Sequence, residues 1–256
     1  MIDKGLFDAY AEALNVNAEL TRAACSELVE RLQGVANVDL RGELLRFYPA
    51  LVKTYGRSAA SIAAEFYTRQ RGIAAPDEPY EPLAFDAGNA GFLPFDIDDA
   101  LKSADVGERL ASSAIQRTNE YADATITVNA KRDPAKPKWA LVPHAGACGW
   151  CRLMGSQGFT YASERSARDV RHPDCKCDVV VDFDTDNPSL DGYDADALGD
   201  QYIEARDAVE DDARSEWDAM SGAERDEFRR THKVKGRNDF DVFLRNKMIS
   251  HMNKAR

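Results

Sequence analysis

RDPAKPKWALVPHAGACGWCRLMGSQGFTYASERSARDVRHPDCKCDVVVDF, residues 132–183, is the stretch on which the fold turns. It holds four of the five cysteines of the chain: Cys148-Gly-Trp-Cys151, then twenty intervening residues, then His172-Pro-Asp-Cys175-Lys-Cys177. Zinc favours four nitrogen or sulfur ligands in a tetrahedron, and a CxxC turn supplies two of them without strain. The metal candidates are therefore Cys148, Cys151, His172, Cys175 and Cys177, of which four are expected to bind. His172 is the expected nitrogen ligand, and either Cys175 or Cys177 is expected outside the coordination set. Four protein ligands leave no open position, so a structural zinc is favoured over a catalytic one. A module of about fifty residues buries little apolar area and commonly needs a metal to fold.

Three other readings compete with the staple. A CGWC redox pair is chemically sound but leaves His172, Cys175 and Cys177 unexplained. Reduced, packed cysteines would make poor core in so polar a stretch. Catalytic zinc lacks its usual signatures, since neither HExxH nor the deaminase pattern of HxE with PCxxC occurs. His144, four residues before Cys148, is the substitute ligand such a reading would use, with Glu164 or Asp169 beside the metal.

Around the cysteines, WALVP, GFTYA and CDVVVDF are of strand length, and Lys131 to Lys138, with two prolines, marks a boundary before them. Upstream the pattern is helical. Leu6, Tyr10, Leu14, Leu20, Ala24, Leu28 and Leu32 line one face of a long helix. Asp39 caps a second helix expected to kink or break near Tyr48, beside Pro49, and to end at Gly56; a third runs from Ser58 to Arg71. Residues 72–96 hold four prolines and read as a loop draped over the helices. Helical pattern resumes at Ile97, and Asp105 starts a helix with Leu110, Ala114, Arg117 and Tyr121 on one side.

Downstream, Asp182, Asp184 and Asp186 imitate the start of a calcium loop, but Asn187 and Tyr193 stand where glycine and glutamate are needed, so a solvated acidic loop is expected. A helix follows from about Ala197 to Met220. Ser221 and Glu224 form a capping box, and Asn238 with Asp241 can cap a last basic helix. Cys25, on the first helix, reads as a small buried hydrophobe.

The 256 residues carry a net charge of -11, which argues against a surface that grips nucleic acid throughout. The charge is segregated: residues 178–212 hold 13 acids and one base, whereas residues 225–256 hold 10 Lys/Arg and four acids. Any contact with DNA or an acidic partner is therefore expected from Arg229, Arg230, Lys233, Lys235, Arg237, Arg245 and Lys247. Mean hydropathy is -0.49 and no apolar run is long enough to span a bilayer. The acidic N-terminal stretch does not read as a secretory signal, so synthesis and use in the cytosol are expected. No phosphate-binding loop, GxSxG elbow or other catalytic constellation occurs, and no catalytic residue is assigned.

The expected fold is mainly α. It comprises an N-terminal helical domain over 1–130, a zinc-stapled α+β module over 131–183, and an acidic loop with C-terminal helices and a basic end over 184–256.

Residues 132–183 resemble the core of the Mu F-like minor head proteins of tailed phages, in the branch found in phages of actinobacteria. The hallmark is a CxxC, a glycine-aromatic turn and HPxCxC, matched by Cys148 and Cys151, Gly158-Phe159, and His172-Pro173 with Cys175 and Cys177. LLRFYPALVKTYGRSAASIAAEFYTRQR and DQYIEAR are similar to flanking helices of such proteins, extending the resemblance over most of Leu44 to Arg206. It implies a minor capsid and head morphogenesis protein, made in the bacterial host cytoplasm and carried inside the virion near the portal; with no catalytic constellation in the sequence, a non-enzymatic role is expected. The implied partners are the portal protein, the major capsid protein, packaged DNA or scaffold, and in some relatives the protein leaves with the DNA. The rival functions are a zinc nuclease or protease of head maturation or DNA entry, and a cytosolic zinc-module adaptor.

Overall fold

The structure is a computed structural model that describes residues 1–34, 39–76, 80–160, 177–232 and 238–254. Among them it is mainly helical, with eight α-helices, two short 3-10 turns and a two-stranded sheet. The chain forms two compact units, one from Met1–Val142 with Phe159–Tyr193, the other from Pro143–Gly158 with Asp194–Arg256. The stretch 131–183 thus contributes to both.

The first unit is built on α1 (Lys4–Gln33), α2 (Leu40–Ala74), α3 (Leu93–Ala100) and α4 (Val106–Arg132). Aspartates cap three of them: Asp3 accepts from the Leu6 amide at 2.7 Å, Asp39 from Gly42 at 3.1 Å and Asp105 from Glu108 at 2.9 Å. The buried face of α1 runs through Phe7, Tyr10, Leu14, Asn17, Thr21, Cys25 and Val29. Leu20, expected on that face, is 53% exposed, because the buried stripe passes through the small polar residues Asn17 and Thr21 instead. Cys25 is the buried hydrophobe expected, and burial pushes its thiol up to about 12.

α2 corrects the expectation of two helices. It is one helix of 35 residues that runs on through Pro49 and Gly56. Tyr48 and Val52, flanking Pro49, are buried in the core, so packing holds the helix where the proline withholds one hydrogen bond. Gly56 is a contact surface and not an end: a Cβ there would stand 2.7 Å from the Tyr121 ring of α4. α4 is buried nearly all round, its polar positions included.

The draped loop is present between Tyr80 and Asn89, and α4 supplies its anchors. Asn129 accepts from the Tyr80 hydroxyl at 2.8 Å and the Leu83 amide at 3.0 Å, and donates to the Leu83 carbonyl at 2.8 Å. The Thr125 hydroxyl accepts from the Phe85 amide at 3.0 Å, and Asn89 donates to Glu120 at 2.8 Å. The loop ends sooner than expected, in a 3-10 turn at Ala90–Phe92, and α3 starts at Leu93 with Pro94 in its first turn, where a missing donor costs nothing.

The expected boundary at 131–138 carries a buried group. Asp133 is fully buried and accepts from Arg71 at 2.7 Å and from the Tyr67 hydroxyl at 3.1 Å. Beyond it β1 (Lys138–Pro143) pairs with β2 (Cys177–Asp182), whose six residues are all buried. WALVP and CDVVVDF are thus strands. GFTYA is not one over Gly158–Thr160, which form a 3-10 turn with Gly158 at φ 61°; Tyr161 and Ala162 lie outside the described residues. The acidic loop is solvated at Asp184 and Asp186 but not at Asp182, which is fully buried and accepts from the Asp184 and Ser189 amides.

The second unit contains α5 (Gly149–Gly155), α6 (Ala195–Ala219), α7 (Gly222–Thr231) and α8 (Asp239–Lys254). Ala205, Ala213 and Trp217 of α6 meet Phe240, Phe243, Leu244, Met248 and Met252 of α8 in its core. The Trp217 ring lies edge-on to Phe228 at 5.6 Å. The capping box at α7 is complete, with both the Ser221 and Glu224 side chains engaged.

Candidate metal centre

Cys148 is the N-cap of α5 and Cys151 lies in its first turn, so the CxxC spacing brings both sulfurs to one end of the helix. The Sγ atoms stand 3.6 Å apart. A disulfide would hold them at about 2.05 Å, so the pair is reduced. Two sulfurs each about 2.3 Å from a tetrahedral zinc stand roughly 3.8 Å apart, so the observed separation fits half of such a site. Cys151 is buried and Cys148 is half-buried.

The second unit fixes this pair through residues that the spacing of the cysteines gives no sign of. The Gly149 amide donates to Asn253 Oδ1 at 2.7 Å. Arg152 donates to Gln201 at 3.2 Å and to the Met252 carbonyl. Gly149 itself is required by the approach of α8, since a Cβ would stand 2.8 Å from the Ile249 carbonyl. The Arg245 guanidinium lies over the Trp150 ring, 5.0 Å from its centre. Asn253 and Met252 are about a hundred residues away in sequence and Gln201 about fifty, and only the packing of α5 on α8 and α6 joins them.

Of the other metal candidates, Cys177 opens β2 in the first unit and is 1% exposed, its side chain turned into the core. His172 and Cys175 lie outside the described residues, as do Glu164 and Asp169. Among the described residues no group of three or more His, Cys, Asp or Glu side chains gathers at metal-binding distance. His144 sits in the turn after β1, where its carbonyl accepts from the Ala147 amide at 2.9 Å.

Of the basic residues expected to reach DNA or a partner, those among the described residues have these neighbours. Arg229 pairs with Asp226 and Asp239, Arg230 with Glu227, and Lys247 with Glu216. Arg245 is spent on Trp150. Lys233, Lys235 and Arg237 lie outside the described residues. Among the described residues no helix is long and apolar enough to cross a membrane.

Comparison with known proteins gives one family. Neither a curated protein nor a solved structure matches the chain. The model of the VG15 protein family matches residues 1–205, which takes in α1 to α5, both strands and the whole cysteine-bearing stretch. The chain therefore belongs to the VG15 protein family and is a phage protein.

Proposed function

We propose that this phage protein is a non-enzymatic minor head protein, carried in few copies inside the capsid near the portal and stapled by one structural zinc. The observation that carries the reading is the reduced Cys148–Cys151 pair, its sulfurs 3.6 Å apart, within a stretch that resembles the Mu F-like core. Cys148 and Cys151 supply two ligands, and His172 with Cys175 or Cys177 would supply the other two. A fourth protein ligand closes the coordination sphere, so the metal's contribution is to folding and not to catalysis. Family membership over residues 1–205 supports the phage setting of this reading. In it, the helical first unit docks on the portal or the inner face of the major capsid shell. The basic C-terminal end, through Lys233, Lys235 and Arg237, meets packaged DNA or scaffold.

Quantitative peptide mass spectrometry on purified phage particles tests the proposal. A few copies per DNA-filled head are expected, and depletion from emptied heads would add ejection with the DNA. Absence from every particle would overturn the reading in favour of a cytosolic adaptor or a maturation enzyme.

A further inference from the structure

The outer face of α1 and α2 carries an apolar strip that the core does not use. At 100° per residue Leu6, Ala9, Ala13, Val16 and Leu20 fall along one line of α1. Phe47, Ile62 and Ile73 fall along one line of α2. The two lines flank a single groove, because the helices run antiparallel: Tyr10 stacks on Phe66 at 4.4 Å, and Asn17 donates to the Tyr55 carbonyl at 3.2 Å. Leu6, Ala9 and Ala13 face Ile62 and Phe66 across a shallow pocket. Val16, Leu20, Phe47 and Ile73, at 51%, 53%, 41% and 61% exposure, continue the strip beyond it. Monomeric proteins seldom leave so many large apolar groups on one line.

Charge along the edge selects the occupant. Glu12 and Glu19 fall beside the strip on α1, both exposed, and have no ion pair among the described residues. Four cations of these two helices are paired on their own helix: Lys4 with Asp8, Arg31 with Glu27, Arg46 with Glu43, and Arg69 with Glu65, the last of them lining the pocket. A second copy of this chain docked through the same face would bring its own exposed Glu12 and Glu19 to this edge, like charge against like. An anionic lipid surface would be repelled by them. The alanines at 9 and 13 leave room for a helix backbone to approach, and the line from Leu6 to Leu20 rises about 21 Å, four turns of a partner helix.

We propose that this face is a docking groove for an amphipathic helix of another protein, apolar on one side and edged by lysine or arginine. The inference deepens the head-protein reading, and rests on it only in drawing the partner from the particle.

A photo-crosslinking phenylalanine analogue placed at Leu20 of the full chain, expressed in infected host cells, tests it. The expected product joins Leu20 to a segment of a different head protein with apolar residues at helical spacing and a basic edge. Reversing both carboxylates, as Glu12→Lys with Glu19→Lys, should cut the crosslink yield by about fivefold or more, as loss of a complementary edge would. Glu12→Gln with Glu19→Gln should give an intermediate yield, and Glu204→Lys on α6 should leave it unchanged; circular dichroism checks that each variant folds. A crosslink to a second copy, a partner segment without a basic edge, or a yield indifferent to the reversal would overturn the groove. So would no crosslink from protein that mass spectrometry finds in the particles. Absence from particles while the basic-helix crosslink persists would instead overturn the head-protein reading and leave the groove standing.

Discussion

Gly56 and Cys25 are two residues whose surroundings set a measurable consequence. In an exposed helix, Gly→Ala would stabilise by about 1 kcal/mol through backbone entropy. At Gly56 the added methyl meets the Tyr121 ring at 2.7 Å, and overpacking a core contact costs typically 1–3 kcal/mol. The steric term wins, so Gly56→Ala should destabilise the first unit by about 1 kcal/mol, read as a lower urea midpoint with unchanged slope. Cys25 gives a pH dependence. Its thiol is raised by burial from 9.0 to about 12, so the folded state holds the proton more tightly than the unfolded one. Stability is therefore intact below pH 9 and falls as the pH rises toward 12, by on the order of 2 kcal/mol at pH 11 from this group alone. Burial raises the Tyr48 and Tyr67 phenols as well, which acts in the same direction at higher pH. Urea unfolding at pH 8 and pH 11 should show the drop in the parent and a smaller one in Cys25→Ala; an equal drop in both would remove Cys25 as its source.

Among the elements, the strap from Tyr80 to Asn89 shows how α4 serves two layers at once. Its single most connected anchor is Asn129, which holds the Leu83 amide and carbonyl together and also the Tyr80 hydroxyl. Asn129→Ala leaves those groups unpaired in a half-buried place, at a cost of about 2 kcal/mol. Hydrogen exchange should then accelerate at Leu83, while the amides of α1 and α2 keep their protection. Uniform loss of protection would show that the strap is not a separate layer. The strap was legible as a loop from its prolines, but its anchors were not, because Asn129, Thr125 and Glu120 sit at helix positions that look solvent-facing in a one-dimensional pattern. The capped starts of α2, α4 and α7 were legible, since an aspartate or serine accepts from an amide only a few residues on. The uninterrupted α2 was not: Pro49 and Gly56 are local breakers, and only distant partners, Tyr121 above all, reverse their effect.

For the molecule as a whole, the two units differ in how they are held. The first has a large helical core and the buried Arg71–Asp133 pair. The second closes on an aromatic cluster around Trp217 and carries the Cys148–Cys151 pair on α5, a helix of seven residues. The cysteines were legible because their spacing is itself the chemistry, whereas Asn253 and Arg152, which fix their helix, come together only through the fold. The account turns on that pair being half of a closed metal site. The most direct test is metal analysis of the purified full chain together with its melting curve, before and after chelation and in a variant with Cys148, Cys151, His172, Cys175 and Cys177 all replaced. One zinc per chain, lost with a lower melting temperature in both the chelated protein and the variant, is the predicted result. A metal-free chain that melts with the variant at the same temperature would contradict it.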